Sequence, residues 1–525
     1  MAEALRWMLA LVPLLPLLAA AFIAAGFVIG LNRGEAAERY TSRLALLAAA
    51  LSLLLLLGVD ILLLREGTLP GQLRFGRWLS SGEFRIEISL LIDAPALLLA
   101  HLVTLVALLG MRFSVNYLHR EAGFTRYFMV LSLFTGAMLL IAMAGNAVLT
   151  FVGWELAGLS SYLLIAWSWE RPTATANATR AFVTNRFGDA GFILGIALAL
   201  LGTGSVEWPL LLAGVADMDR FSAGLIASGF LLAAMAKSAQ VPFAPWIGRA
   251  LEGPTPSSAI FYGSLMVHAG VFLLIRLQPL LEHTPELMWM VALVGVVTAL
   301  YGFFGGLVQT DVKSALMFST TAQVGLMFFA CGMGWFGLAT WYLVLHASWR
   351  AFQFLSAPAM MHLIERPTRR VPAGLRKRRF LYTAALQRFW LEHITDWLLV
   401  GPTRALARDI QSFDQQVVNR LAGLPGSAGA VSSLAQWEKL KYAHSVSLDG
   451  DSGDVGRGRG AAGKLMEWIA SMLYWFEEHL VLTGGDKGVR RLVLRVGDAL
   501  MRVDELLSRP RYLLLMLVIT FVVIL

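Results

Sequence analysis

Apolar stretches close to twenty residues long recur along this chain, near 7–31, 42–64, 91–112, 126–144, 146–168, 186–204, 223–245, 257–277, 286–308, 311–331 and 336–363. A helix needs roughly 20 apolar residues to cross the hydrocarbon core of a bilayer. The pattern predicts an all-α polytopic membrane protein of about 11 spans. Composition agrees. Of the 525 residues, 57% are hydrophobic and only 15% charged, against about a quarter charged in a soluble domain. A soluble globular enzyme, a disordered chain and a collagen-like chain are therefore excluded. One cysteine, Cys331, excludes a disulfide framework and a Cys-rich zinc or iron–sulfur site. The net charge of +8 belongs in cytoplasmic loops and headgroup-facing segments. A nucleic-acid partner is not indicated, because no basic groove with interleaved aromatics occurs.

The first stretch lacks a basic n-region and a small-residue cleavage site, and it is long enough to span, so it reads as a membrane helix rather than a signal peptide. Alternate loops differ in basic residues. One set carries eleven, including Arg39, Arg43, Arg112, Arg126, Arg180, Arg186 and Lys313; the other carries six, including Arg74, Arg220 and Arg276. The richer set is placed in the cytoplasm, with the N-terminus outside. Within 223–245, the polar run Lys237-Ser238-Ala239-Gln240 before Pro242 predicts a broken helix rather than a simple proline kink.

After Leu363 the character changes. Arg366, Arg369, Arg370, Arg376, Lys377, Arg378 and Arg379 form a basic cluster suited to anionic headgroups. The stretch 380–425 is amphipathic and suits a membrane surface or a partner. A Gly- and Asp-rich linker is expected at 449–463, then a second amphipathic stretch at 464–508 that echoes the first through Glu392-His393 and Glu478-His479. The last residues, 511–525, form a short apolar segment. The domain reading is thus 1–363 in the membrane, 364–510 as basic cytoplasmic helices, and 511–525 as a terminal membrane segment.

Ionisable side chains inside the spans carry the most information, since they are expensive in hydrocarbon. Asp60, Asp93, Glu155, Lys237, His268, Lys313, His346 and Arg350 qualify. Asp60, Asp93 and Lys313 also suit helix ends, where a charge reaches the interface. Glu155 and Lys237 lie deep in their spans and can pair. Such a pair is either a static bridge or part of a proton relay. Lysine favours the relay, because it deprotonates when buried and arginine does not. His268 and His346 can shuttle protons, or simply be hydrogen-bonded core residues. No metal spacing, Walker loop or dinucleotide glycine motif occurs, so no cofactor is expected in this chain.

Several longer motifs point to a family. The run Gly153-Trp154-Glu155-Leu156-Ala157-Gly158-Leu159-Ser160-Ser161-Tyr162-Leu163-Leu164-Ile165, the segment Asn185-Arg186-Phe187-Gly188-Asp189, the run from Lys237 to Pro242 followed by Glu252-Gly253-Pro254-Thr255-Pro256-Ser257-Ser258-Ala259, and Asp311-Val312-Lys313 with Phe318-Ser319-Thr320 and Gln323 resemble signatures of the proton-conducting antiporter-like subunits. That family includes the large antiporter-like subunit of complex I (NuoL), Mrp antiporter subunits and the inorganic-carbon subunit DabB. The resemblance runs from about 84 to 363. It implies two inverted five-helix repeats, each with a broken helix. It makes Glu155 and Lys237 the carboxylate–lysine pair, and Lys313 and His346 family positions. The chain departs in two places. Tyr262 stands where the family has a histidine, with His268 six residues later, and Arg350 replaces a family lysine. The chain is also expected to leave the membrane after Leu363, where the complex I subunit continues with another broken helix, so the second half-channel is expected to be incomplete.

The proton-relay expectation therefore comprises Glu155, Lys237, His268, Lys313, His346 and Arg350. The leading expectation is a proton-conducting subunit that drives CO2 or bicarbonate uptake with a DabA-like cytoplasmic zinc protein, the zinc sitting in that partner. The alternatives are an antiporter-like subunit of a complex I-like respiratory or hydrogenase complex, a Na+/H+ antiporter subunit, and a structural scaffold. The chain is not expected to be an enzyme by itself. Its expected location is a bacterial inner membrane.

Overall fold

The computed structural model describes residues 2–32, 34–81, 84–363, 371–413 and 472. Two compact units divide the chain, Met1–Val400 and Gly401–Leu525. The first begins with α1 (Ala2–Val28) and α2 (Glu38–Glu66), then a hairpin of β1 (Gly71–Ser81) and β2 (Phe84–Ile92). Long helices follow: α3 (Ala94–Tyr117), α4 (Phe124–Met143), α5 (Ala147–Ile165) and α6 (Pro172–Thr203). The short α7 (Trp208–Gly214) leads into α8 (Arg220–Lys237), α9 (Pro245–Arg249), α10 (Thr255–Ser258), α11 (Ala269–Arg276) and α12 (Gln278–Glu282). Next come α13 (Pro285–Gly306), α14 (Val312–Gly332), α15 (Phe336–Leu363), α16 (Ala373–Lys377), α17 (Arg379–Leu386) and α18 (Leu391–Thr395). In the second unit α19 (Gly401–Phe413) is described, and none of its residues is buried.

Ten helical segments among the described residues are long and apolar enough to cross a membrane. The protein is an all-α multi-pass membrane protein. Its outer faces are as apolar as its core. Leu47, Leu51 and Leu54 on α2 and Leu293, Val297 and Leu300 on α13 are exposed, as expected where lipid is the solvent. The eleventh predicted stretch, 336–363, does form a helix but is not among the ten, because His346, Arg350 and Gln353 make it more polar.

Since lipid tails are as apolar as leucine, helix association depends on close packing. At α6–α8, Gly191 and Gly229 face each other; a Cβ on either would lie 2.8 or 2.7 Å from the other's carbonyl oxygen. At α13–α14, Gly295 faces Gly325, and a Cβ at Gly332 would lie 2.3 Å from the Ala292 nitrogen. Helix starts are capped by side chains. Asp93 accepts from Ala96 N at 2.9 Å, Asn146 from Leu149 N at 2.7 Å, and Asp311 from Ser314 N at 2.8 Å.

Two expectations need correction. The hairpin at 71–92 was not anticipated, and it moves the start of the third span from 91 to Ala94. Helix α6 starts at Pro172, not near 186, so Arg180 and Arg186 lie inside a helix rather than in a loop. The first compact unit runs to Val400. Part of the amphipathic stretch 380–425 docks on the membrane helices: Arg180 pairs with Asp396 at 2.5 Å, Arg249 with Glu392 at 2.5 Å, and Phe389 stacks near Tyr301. The cluster residues Arg366, Arg369 and Arg370, the expected linker, the second amphipathic stretch apart from Met472, and the segment 511–525 lie outside the described residues.

Candidate functional site

The helix ends at Lys237 and resumes at α9. A break in a membrane frees backbone groups that must find new partners. Here Ser238 N and Gln240 N turn back to the carbonyls of Ala234 and Met235 at 2.9 and 2.8 Å. The Trp246 indole donates to Ala236 O at 2.8 Å, and Val241 N donates to Thr298 Oγ1 on α13 at 3.0 Å. Ser238 Oγ ties the break to Val267 O at 2.6 Å. The break is thus satisfied by protein from two directions, which holds it in place inside the bundle. Lys237 sits at the carbonyl end of α8, where the helix dipole favours a cation.

Four buried or half-buried charges meet beside it. Lys237 is 1% exposed, Asp189 3% and Glu155 8%. The Lys237 ammonium donates to Trp154 O at 3.0 Å and lies 5.1 Å from the centre of the Trp154 ring. The expected direct pair between Glu155 and Lys237 does not form. Arg186 takes that place: its Nη1 pairs with Glu155 Oε2, and its Nη2 lies 2.8 Å from Asp189 Oδ2. Gly158, one turn after Trp154 on α5, leaves the space for both cations. A Cβ there would stand 3.0 Å from Arg186 Nη2 and 3.2 Å from Lys237 Nζ. Two carboxylates and two cations make the cluster neutral when all are ionised, which is how buried charge is tolerated. Arg186 and Asp189 were absent from the expected relay. Their one-turn spacing at the start of the 186–204 stretch is the available signal, masked because Arg186 at the stretch's edge reads as a loop charge.

The polar capacity of this cluster is not used up. An ammonium has three donors, and one is engaged here. Glu155 Oε1, Asp189 Oδ1 and Trp154 Nε1 are buried without a hydrogen-bonded protein partner. So are Gln240 Oε1 in the break and Ser258 Oγ, Ser264 Oγ and His268 Nδ1 in the 255–276 segment.

His268 and His346 are brought together. His268 Nε2 lies 3.0 Å from His346 Nδ1, and Arg350 Nε donates to His346 Nε2 at 3.1 Å. The guanidinium also donates to Gln353 Oε1 at 2.7 Å and to Ser319 Oγ on α14. Lys313 is not part of either group. It is half-buried in the first turn of α14, beside the cap Asp311. Tyr262 holds Ser161 Oγ at 3.0 Å and packs against Trp246. Of the remaining span charges, Asp93 pairs with Arg276, and Asp60 lies 2.9 Å from His101.

At the hairpin end Glu207 is buried among Ser89 Oγ at 2.6 Å, Asn146 Nδ2 at 3.0 Å and Gln72 Nε2. Burial raises its carboxyl above the ordinary range, against the opposing hydrogen bonds from Ser89 and Asn146. At the other end Glu392 accepts from Arg249 and Arg388 at 2.5 Å each. Burial alone would raise its carboxyl, but the two arginines outweigh it and hold the group below the ordinary range.

Comparison with known proteins places this arrangement. A family profile described as NADH:quinone oxidoreductase/Mrp antiporter matches residues 144–386. A second, the N-terminus of complex I chain 5, matches 78–128. Chain 5 of the NAD(P)H-quinone oxidoreductase of Picosynechococcus sp. is 36% identical over 369 residues, 68% of this chain and 54% of that protein. Subunit L of the NADH-quinone oxidoreductase of Rhodobacter capsulatus is 38% identical over 319 residues, 57% of this chain and 45% of that protein. The chain spans about half the length of the curated relatives it matches. A chain of the Mrp complex from Dietzia sp. superposes with a TM-score of 0.58 at 26% identity, covering 66% of this chain and 37% of that one. A chain of an archaeal membrane-bound sulfane sulfur reductase shares the fold, with a TM-score of 0.58 at 19% identity over 69% of this chain and 58% of that one. The first profile falls on the helices that carry Glu155, Arg186, Asp189 and Lys237, the second on the hairpin, α3 and the start of α4, and the chain belongs to the antiporter-like membrane subunit family of complex I and the Mrp antiporters.

Proposed function

We propose that the chain is a proton-translocating, antiporter-like subunit of a multi-subunit membrane complex of the complex I type. Its place is a bacterial inner membrane, with the N-terminus outside and the docked helices 371–400 on the cytoplasmic face. The observation that carries the reading is Lys237, buried at the helix break beside Glu155, Asp189 and Arg186. Lysine releases and regains a proton where arginine cannot. Its unused N–H groups face a setting of unpaired acceptors on Glu155 and Asp189. Buried polar atoms of this kind are normally satisfied by water. Water bridging them, and then Gln240, Ser258, Ser264 and His268, gives a proton a hydrogen-bonded route within the helix bundle. Lys237 is the group that changes protonation. Glu155 and Asp189 balance its charge, and Arg186 holds both carboxylates in position. Lys313, at a helix end, has an accessory part at most.

The relatives described above are quinone oxidoreductase and Mrp proteins, which favours this reading over inorganic-carbon uptake with a DabA-like zinc partner. The test is affinity purification of the tagged chain in mild detergent, with identification of co-eluting proteins. Flavin or iron–sulfur subunits are expected. A large soluble zinc protein in their place would contradict the reading and restore the carbon-uptake one.

A further inference from the structure

Arg350 lies one helical turn after His346 on α15, and its Nε–H points at His346 Nε2 at 3.1 Å. A guanidinium is always protonated and only donates. His346 Nε2 must therefore present its lone pair. The ring of His346 is then neutral, with its proton on Nδ1. That Nδ1 lies 3.0 Å from His268 Nε2, so His268 Nε2 must also present a lone pair, and the His268 proton sits on its own Nδ1. An imidazolium at either position would turn one N–H against another. The guanidinium cannot swing away freely, since its other nitrogens are tethered to Gln353 Oε1 at 2.7 Å and to Ser319 Oγ. Among the described residues no carboxylate pairs with it.

We infer that Arg350 is a positioning residue that pins both imidazoles in the Nδ1–H form and closes the proton route at α15. Passing a proton from His268 toward α15 requires the reverse arrangement, with His346 carrying its proton on Nε2. That proton would collide with the Arg350 Nε–H. The locked pair therefore passes no proton on: His268 Nδ1 already carries a hydrogen and can only donate, and His346 Nε2 is held as an acceptor, so the route ends at His268. Nδ1 of His268 is fully buried and makes no well-formed hydrogen bond within the protein. A lysine at 350 would remove the block, because a single amine on a flexible stem can lose its proton and accept one. The closure, though not the tautomer lock itself, rests on the proton-translocation reading above.

The test uses the full chain with 15N-labelled histidine in liposomes, read by solid-state NMR near neutral pH. His268→Gln and His346→Gln spectra assign the two signals. Both rings are expected as neutral Nδ1–H tautomers. In Arg350→Lys, His346 is expected to become a mixture of tautomers, and proton flux under an imposed pH gradient to rise several-fold. An Nε2–H or imidazolium signal at either histidine of the unaltered chain would overturn the lock. So would unchanged tautomers in Arg350→Lys. Altered tautomers without a rise in flux would overturn the closure. Gln353→Leu, which removes one tether, serves if Arg350→Lys does not assemble; it is expected to lower the Nδ1–H fraction at His346, and no change there counts against the lock. If Lys237→Ala leaves flux untouched, proton translocation itself fails, and the tautomer signals still decide the lock.

Discussion

Around Lys237 the buried charges come in both signs. Glu155 and Asp189 face Arg186 and Lys237, three helices contribute, and several acceptors are left open. Around His268 the arrangement is different. Two imidazoles end on Arg350, whose nitrogens are occupied by His346, Gln353 and Ser319. In the proposed function the first group gains and loses a proton at Lys237. The second has its proton positions set by a donor that never deprotonates. Both would count as intramembrane charge clusters in a sequence. What separates them is whether the cation can let go, and whether the neighbouring acceptors are already used.

The largest expected effect follows directly. Lys237→Ala and Lys237→Arg should both reduce proton flux in liposomes by about two orders of magnitude, the range typical of losing a positioned acid–base group. Arginine keeps the charge but not the chemistry, so flux retained in Lys237→Arg would show that charge alone suffices and would erase the distinction between the two clusters. Glu155→Gln comes next. Arg186 would keep Asp189 but lose Glu155, and unfolding followed by denaturant should show a loss of about 1–3 kcal/mol with reduced flux. Gly191→Leu should lower stability by a comparable amount, about 1–3 kcal/mol, because α6 and α8 meet there backbone to backbone. With the clusters prised apart on one side, flux should fall while the His268–His346 tautomers stay fixed. The smallest effect is at the docked tail. Glu392→Gln should weaken its attachment by about 1 kcal/mol or less, read as faster proteolysis near 388–396. The sign of the pH dependence is set by the lowered carboxyl of Glu392. Its contribution is present above the free carboxylate value near 4.3 and is lost as pH falls through the lower folded value.

The sequence made the membrane class and most spans readable, because roughly twenty apolar residues in a row have few other uses. The break at Lys237 was also readable, from polar residues and Pro242 inside a span. The hairpin is hard to read although Arg85-Ile86-Glu87-Ile88-Ser89 alternates in the strand period, because the apolar run that follows resembles the start of a helix. The role of Arg186 was missed for a related reason. A charge near the edge of an apolar window looks like a loop residue, yet α6 extends fourteen residues further toward its N-terminus than the window suggested. No linear pattern reveals that Gly158 makes room for two cations, or that Arg350 points at a particular histidine nitrogen. Those depend on how α5, α6, α8, α14 and α15 come together.

The central claim is that Lys237 works as a proton carrier because it is a lysine. The direct measurement is proton flux through the purified complex in liposomes under an imposed pH gradient, comparing the unaltered chain with Lys237→Arg. The account predicts that flux collapses in Lys237→Arg although the charge, the fold and the co-purifying subunits are retained. Equal flux in the two would contradict it.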